Sequence, residues 1–382
     1  MWDYLIIGGG IVGLTIAQKL RDNNKSCSTL VLEKESYSGL HGSGRNSGVL
    51  HSEIYYKEGT LKAEMCAKGM RMMKDYCQKN NLPLNEIGKL IVPTRDEDDK
   101  NIELLYNRSI ANGVIAKVIG NAELVKLDSG VRSSSGRALL LPETSVVDPM
   151  LIMLSLITML HRKSVIIHND EEVVLADPIN NTVPSNRTKY SYKTLINAFG
   201  QYADRIAHLF EVGKKYTLIP FKGSYYKLDP RSTVKPTHLI YPVLDLKLPF
   251  LGIHSITTID GSIYFGPTAI PVLGRENYIG LEGINYQDVK TLSRAIIEKY
   301  ATDKEFRSHS HKELSLLWHR NFHLAVRRIM PGIKSGDLKK SSKVGIRLQP
   351  HNKNLKRLEM DFLIEKKENT LHVLNAISPA FT

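Results

Sequence analysis

The chain has 382 residues, 42% hydrophobic and 24% charged, which suits two folded domains with a sizeable core and excludes a disordered or fibrous protein. Its 52 Lys and Arg against 39 Asp and Glu leave a net charge of +13. The basic residues are spread along the chain, with modest clusters at 334–343 and 353–357 and no nucleic-acid module beside them, so no nucleic acid is expected as partner. Such a surface instead suits an anionic substrate or peripheral contact with an anionic membrane.

Cys27, Cys66 and Cys77 form neither a metal-ligand spacing nor a disulfide framework, which points to a reducing compartment and to no metal. Met1 leads straight into the first strand, so no targeting segment is expected before the fold. The longest apolar run, residues 150–160, is too short to span a bilayer and reads as a buried helix. A cytoplasmic protein, at most peripheral to the inner membrane, is the expectation.

In chain order, an apolar strand over residues 3–7 runs into Gly8, Gly9, Gly10, Ile11, Val12 and Gly13, then into a helical pattern of Ile11, Leu14, Ala17 and Leu20. A second apolar strand, 29–32, ends in Glu33, twenty residues after Gly13. This is the βαβ setting that gives a G-x-G-x-x-G pattern its meaning. Gly8, Gly10 and Gly13 serve the tight turn, the approach of a pyrophosphate to backbone and close helix–strand packing. The helix N-terminus supplies N–H groups for phosphate. Glu33 is placed to accept from a ribose hydroxyl and would repel a 2′-phosphate, which excludes NADP; FAD and NAD stay open on these residues alone.

Residues 38–52 read as a Gly- and Ser-rich loop, 61–80 as a long helix, 88–94 as a strand and 95–100 as a polar turn. After a mixed region to residue 142 come a helix at 148–162, a strand at 164–168, a polar hairpin or loop at 177–189 and a strand at 193–197 leading into Ala198, Phe199 and Gly200. From residue 216 strands dominate, at 218–227, 238–243, 252–259 and 262–267, as in an antiparallel sheet. Helices return at 286–300 and 312–328, and 362–365 with 371–375 read as a closing hairpin. The fold class is therefore α/β plus α+β, a Rossmann-like dinucleotide-binding domain (1–84, 141–215 and 336–382) interleaved with an antiparallel-sheet substrate domain (85–140 and 216–335).

Several stretches carry a resemblance over the whole chain: residues 41–51 with Tyr55, Tyr56 and 59–63; 88–92; 220–226; 240–243; 251–254; 260–267; 345–349; and 375–380. On these the chain resembles the glycine/D-amino-acid-oxidase-like flavoprotein superfamily, and within it the L-2-hydroxyglutarate dehydrogenases and oxidases. The resemblance implies FAD and oxidation of a 2-hydroxy dicarboxylate, L-2-hydroxyglutarate, to 2-oxoglutarate. Hydride would pass to flavin N5 and the electrons onward to oxygen or a quinone-linked acceptor. It implies that Arg45, Asn46, Ser47, Gly48 and Gly200 contact the cofactor, with His41 a further candidate for flavin contact or even a covalent link.

A base that titrates near neutrality suits histidine. Two histidines fall in matching motifs, His51 and His254, and either is a candidate. A dicarboxylate needs two cationic or hydrogen-bonding clamps. Arg347 stands where similar oxidases hold a carboxylate, and Lys222, Tyr225 and Tyr241 are candidates for the second.

Three departures stand out. Phe199 replaces a small residue and would crowd the cofactor. Lys222 and Ser224 stand where the family commonly has Arg and an acid. The resemblance ends at Thr382, where similar proteins continue into a small-residue turn and a helix aimed at the flavin, so either that helix lies further on or the pyrimidine end is held differently. The alternatives to a hydroxy-acid enzyme are an FAD-dependent amine or amino-acid oxidase on the same fold and a degenerate, non-catalytic member.

Overall fold

The computed structural model describes residues 1–52, 54–243 and 252–377. Leu251 and residues 378–380, which carry part of two matching stretches, lie outside the described residues.

The chain begins as the N-terminal pattern requires. The strand Trp2–Ile7 lies parallel between Thr29–Leu32 and Lys189–Asn197, with Ile166–His168 beyond the former and Thr370–Asn375 beyond the latter. Leu363–Lys367 adds an antiparallel edge, and Thr182–Pro184 pairs back on Lys189–Asn197, completing a seven-stranded sheet. A parallel sheet must be covered on both faces, so its strands are apolar on both. Leu5 and Ile7 pack on one side with Leu30, Leu195, Ile206 and Leu374. Ile6 packs on the other with Val31 of the neighbouring strand and with Leu14, Met153 and Leu160 from the helices Ile11–Asn23 and Pro149–Arg162. Asp148 caps the latter helix by accepting from Met150 N at 2.8 Å and Leu151 N at 3.1 Å.

The second large sheet has six strands. Its axis is the antiparallel pair Tyr216–Leu228 and Leu338–Asn352, in register from Tyr216 against Asn352 to Leu228 against Leu338, with an irregularity at Ser224/Tyr226. His254–Thr257, Ile263–Gly266, Ile270–Pro271 and Arg357–Leu358 extend it. The expected boundary at residue 336 put residues 338–352 with the nucleotide unit; they pair instead with 216–228, and the chain returns to the first sheet only with Leu363–Lys367. A four-stranded sheet (Lys89–Val92, Lys117–Gly120, Arg137–Leu141, Leu239–Pro242) and a three-stranded one (Val49–Leu50, Leu84–Glu86, Ser145–Val147) join the two.

The mixed region before residue 142 holds the helices Lys100–Ala111 and Asn121–Leu127 as well as two strands. The helix expected over 312–328 is two helices, Lys304–Ser315 and His319–Ile329. Asp303 starts the first by accepting from Phe306 N at 3.0 Å, and the second opens at Trp318. Apolar periodicity continues across the break, which is why it is invisible in the pattern. No helix among the described residues is long and apolar enough to cross a membrane.

Candidate active site

The two large sheets meet along one cleft, walled at one end by the glycine turn and at the other by the long strand pair. At the first end, Gly8 has φ +109°, and a Cβ there would lie 2.4 Å from the Ala198 carbonyl oxygen. At Gly13 a Cβ would lie 2.0 Å from the Gly8 carbonyl oxygen. Both positions are closed by backbone, so the turn tolerates no side chain. Gly13 does this from outside the cleft wall. Gly10 differs: a Cβ would meet only the Ser43 hydroxyl oxygen, at 3.2 Å, and the residue faces the cleft. The helix that follows has no side-chain cap and no acid in its first turn. Ile11 N donates to Ser43 Oγ at 2.9 Å. An open glycine at a helix start whose own cap residue carries no side chain is a cradle for phosphate.

Glu33 is 6% exposed and lines the same end. Its Oε2 accepts from Gly9 N at 2.8 Å and its Oε1 from Glu35 N at 2.9 Å. Burial pushes its carboxyl up, against the pull of those two donors. Each oxygen keeps a further lone pair for a ribose hydroxyl. The residues present therefore fit the adenosine diphosphate part of a dinucleotide.

Arg45, Asn46, Ser47 and Gly200 line the cleft; Gly48, at φ +72°, does not, and a Cβ there would lie 2.5 Å from the Val147 carbonyl oxygen. Gly345 brings the 41–51 loop onto the long strand pair, since a Cβ there would lie 2.6 Å from the Arg45 carbonyl oxygen. Both ring nitrogens of His41 are engaged, Nδ1 with Tyr278 Oη and Nε2 with Glu35 Oε1, each at 2.9 Å. Phe199 lies on the cleft wall with its ring turned to Tyr202, centroids 5.6 Å apart.

Residues 275–278 form a strap at this end that no sequence motif announces. Lys34 pairs with Glu276 at 2.6 Å and with Glu35, so an ammonium already sits among Glu35, His41 and Glu276, a trio close enough to hold a metal ion. Tyr278 accepts from Gln201 Nε2 at 2.7 Å and lies under the Arg45 guanidinium, 4.2 Å away. Arg275, 2% exposed, is gripped by Asp204 at 2.6 and 2.9 Å.

At the far end the structure brings His51, His254, Tyr241, Tyr225 and Arg347 onto one wall. They come from the 38–52 loop and from four different strands. The Tyr241 ring stacks on His254, centroids 3.9 Å apart, and meets His51 edge-on at 5.8 Å. His254 Nδ1 lies 2.8 Å from the Gly252 carbonyl oxygen, an acceptor only, so Nδ1 carries a proton and donates. His51, 3% exposed, is held neutral: burial dominates, and Lys89, His254 and Arg347 add repulsion. Burial pushes the Tyr225 hydroxyl up to about 12, opposed by Arg347.

Lys222 is not on the wall. Alternate residues of a strand face opposite ways, and Phe221, Gly223 and Tyr225 take the cleft side, leaving Lys222 on the other. Two polar residues went unnoticed in the sequence. Glu313 lines the cleft, accepts from Ala269 N at 2.6 Å and has its carboxyl pushed up by burial. Lys89, fully buried behind His51, was signalled only by a lysine in an otherwise apolar strand.

Comparison with known proteins fits this geometry. The sequence profile of the DAO family, FAD dependent oxidoreductase, matches residues 3–382. Over its whole length the chain is 31% identical to the L-2-hydroxyglutarate dehydrogenase of Escherichia coli K12, covering 90% of that protein. It is 32% identical to that of Indibacter alkaliphilus, covering 95%. Over 72% of its length it is 33% identical to the human mitochondrial L-2-hydroxyglutarate dehydrogenase, covering 63% of it.

Among solved structures, the FAD-bound, dithionite-reduced L-alpha-glycerophosphate oxidase of Mycoplasma pneumoniae superposes with a TM-score of 0.74 at 20% identity, over 97% of this chain and 88% of that one. Glycine oxidase from Geobacillus kaustophilus gives 0.67 at 12% identity, over 92% and 84%. Both share the fold. The dinucleotide for which the cleft is shaped is FAD. The chain belongs to the FAD dependent oxidoreductase family, in its L-2-hydroxyglutarate dehydrogenase branch.

Proposed function

We propose that this chain oxidises L-2-hydroxyglutarate to 2-oxoglutarate. The observation that carries the reading is the far end of the cleft, where one guanidinium, Arg347, shares a wall with two histidines and two tyrosines. An arginine grips a carboxylate in oriented, bidentate fashion. Tyr225 and Tyr241 stay protonated at neutral pH on ordinary phenol chemistry and offer O–H donors to the second carboxylate. Relatives that bear the L-2-hydroxyglutarate dehydrogenase name, similar over the whole chain, support the same substrate.

FAD, when bound, supplies the two-electron oxidant that takes the hydrogen from the substrate's Cα as hydride. The protein's part is to hold the acid and to accept the hydroxyl proton. His254 suits the latter task. Its Nδ1–H is committed to Gly252, so in the neutral ring Nε2 bears the lone pair. His51 is the other candidate. Arg45, Asn46 and Ser47 hold the cofactor from the 41–51 loop, and Glu33 holds its ribose. Oxygen or a quinone-linked acceptor then reoxidises the enzyme, and contact with a membrane-borne quinone would be peripheral.

The test is the visible spectrum of the purified protein before and after anaerobic addition of L-2-hydroxyglutarate. The flavin band should bleach with this acid. A band that persists, yet bleaches with glycine, sarcosine or a D-amino acid, would replace the reading with an amine oxidase.

A further inference from the structure

The strand Lys89–Val92 is buried throughout, and its first residue is a lysine with no exposed surface. Placing an ammonium there strips it of its hydration, so its surroundings must favour the charge. Its Nζ lies 5.2 Å from the centre of the Tyr55 ring and 5.3 Å from that of Tyr241, within cation–π range of both. It also lies 3.5 Å from His51 Nδ1. These are some of its contacts and not all of them. Lys89 itself does not line the cleft; His51 and Tyr241, which it touches, do.

An ammonium has only donors. The atom it faces on His51 is therefore a lone pair, and the proton of the neutral ring sits on Nε2. At 3.5 Å the contact is long, so the attraction of the charge for the ring nitrogen orients the tautomer more than a tight hydrogen bond does. His254 is set the opposite way, with its proton on Nδ1 and, when neutral, its lone pair on Nε2. Two histidines on one wall, with the Tyr241 ring between them, thus offer opposite hydrogen-bonding character to a ligand.

We propose that Lys89 is a positioning residue that fixes His51 as a hydrogen-bond donor, so that His254 alone accepts the substrate's hydroxyl proton. This rests on the hydroxy-acid reading above. The O–H bond breaks and its proton goes to His254 Nε2; the oxygen, now becoming a carbonyl, accepts from His51 Nε2–H. The two electrons leave with the Cα hydrogen, as already stated.

The test uses holoenzyme labelled with 15N-histidine and no substrate. Long-range 1H–15N correlations distinguish the two neutral tautomers, and His51→Asn identifies the His51 signals. His51 should carry its proton on Nε2 and stay neutral as the pH falls through the range in which an ordinary imidazole gains its proton, since burial, and with it the ionisable groups that bear on it among the described residues, Lys89, His254 and Arg347, all oppose a positive ring.

Lys89→Met keeps the buried stem and removes the charge. His51 should then mix tautomers or begin to titrate nearer 6.5, and kcat should fall roughly 10- to 100-fold with little change in KM. A proton on Nδ1 of His51 in the unaltered enzyme overturns the proposal, whether or not Lys89→Met folds. So does Lys89→Met that leaves tautomer, titration and kcat as they were. Because the tautomer is measured without substrate, its failure leaves the L-2-hydroxyglutarate reading standing. Failure of flavin bleaching with that acid, beside the expected tautomer, would remove the substrate and keep the assignment of Lys89.

Discussion

The two ends of the cleft are built by different rules. The nucleotide end is local: Gly8, Gly10 and Gly13 lie within one turn, and Glu33 closes the next strand. The substrate end is assembled from residues 51, 89, 241, 254 and 347, which the sheets bring together over almost the whole chain. A local site can be fixed by backbone, whose needs are strict and few. An assembled site depends on side-chain chemistry, where each residue type has many other uses.

The largest effects should come from the glycines, and they should divide in two. Gly13→Val forces a side chain into the Gly8 carbonyl, so the βαβ turn cannot close; soluble protein and flavin should be lost together. At Gly10 the backbone, at φ −79° and ψ 176°, accepts any residue, and a Cβ would come near only the Ser43 hydroxyl oxygen, at 3.2 Å. Gly10→Val should therefore fold, with an unchanged far-ultraviolet circular dichroism spectrum, and yet purify colourless. A yellow Gly10→Val protein would show that the phosphates do not approach the backbone there.

This difference also sets what was legible in the sequence. The first βαβ unit, the 61–79 helix and the antiparallel character after residue 216 follow from periodicity and turn chemistry, and the structure has them. Phe221 through Tyr225 read as a strand, but which face meets the cleft is decided by the partner strand from 120 residues further on. Lys222 therefore looked as suitable as Tyr225. The helix break at residues 316–318 was hidden because Leu316 continues the apolar pattern while the backbone turns. The strap from Arg275 to Tyr278 was hidden because its partners, Lys34, His41, Gln201 and Asp204, are ordinary polar residues far away in sequence.

The next largest effect should be on substrate affinity. Arg347→Ala removes the guanidinium from the wall and should lower kcat/KM for the hydroxy acid roughly 100-fold, the scale of losing a charge-assisted pair of hydrogen bonds. Flavin content should not change. Lys222→Ala, one residue from the cleft face across the pair, should alter kcat/KM by less than about threefold, as surface substitutions do. Equal losses in the two variants would mean that the strand presents its other face to the substrate.

The smallest effect separates two histidines that share one electrostatic fate. Burial holds His372 neutral, with its pKa lowered to about 4, and a nearby Lys367 adds to this. His51 is lowered for the same first reason. Yet both nitrogens of His372 are spent within its own sheet, Nδ1 toward Asn197 Nδ2 at 3.3 Å and Nε2 toward Thr370 Oγ1 at 3.0 Å, and the ring does not reach the cleft. Its low pKa is thus a matter of stability alone.

In the unfolded chain this ring binds a proton near pH 6.5, whereas the native one does so only near 4. Between those values the unfolded state holds more protons, so stability is full above about 6.5 and declines as the pH falls. The loss from this one group is at most on the order of 3 kcal/mol. Denaturant midpoints at pH 7 and pH 4.5 should show a smaller acid-side drop for His372→Gln than for the unaltered protein, with kcat at pH 7 nearly the same. A drop of equal size in both would mean that His372 titrates normally in the folded state. A buried neutral histidine is therefore no sign of catalysis by itself; what distinguishes His51 and His254 is that both sit on the wall of the cleft, beside the Tyr241 ring.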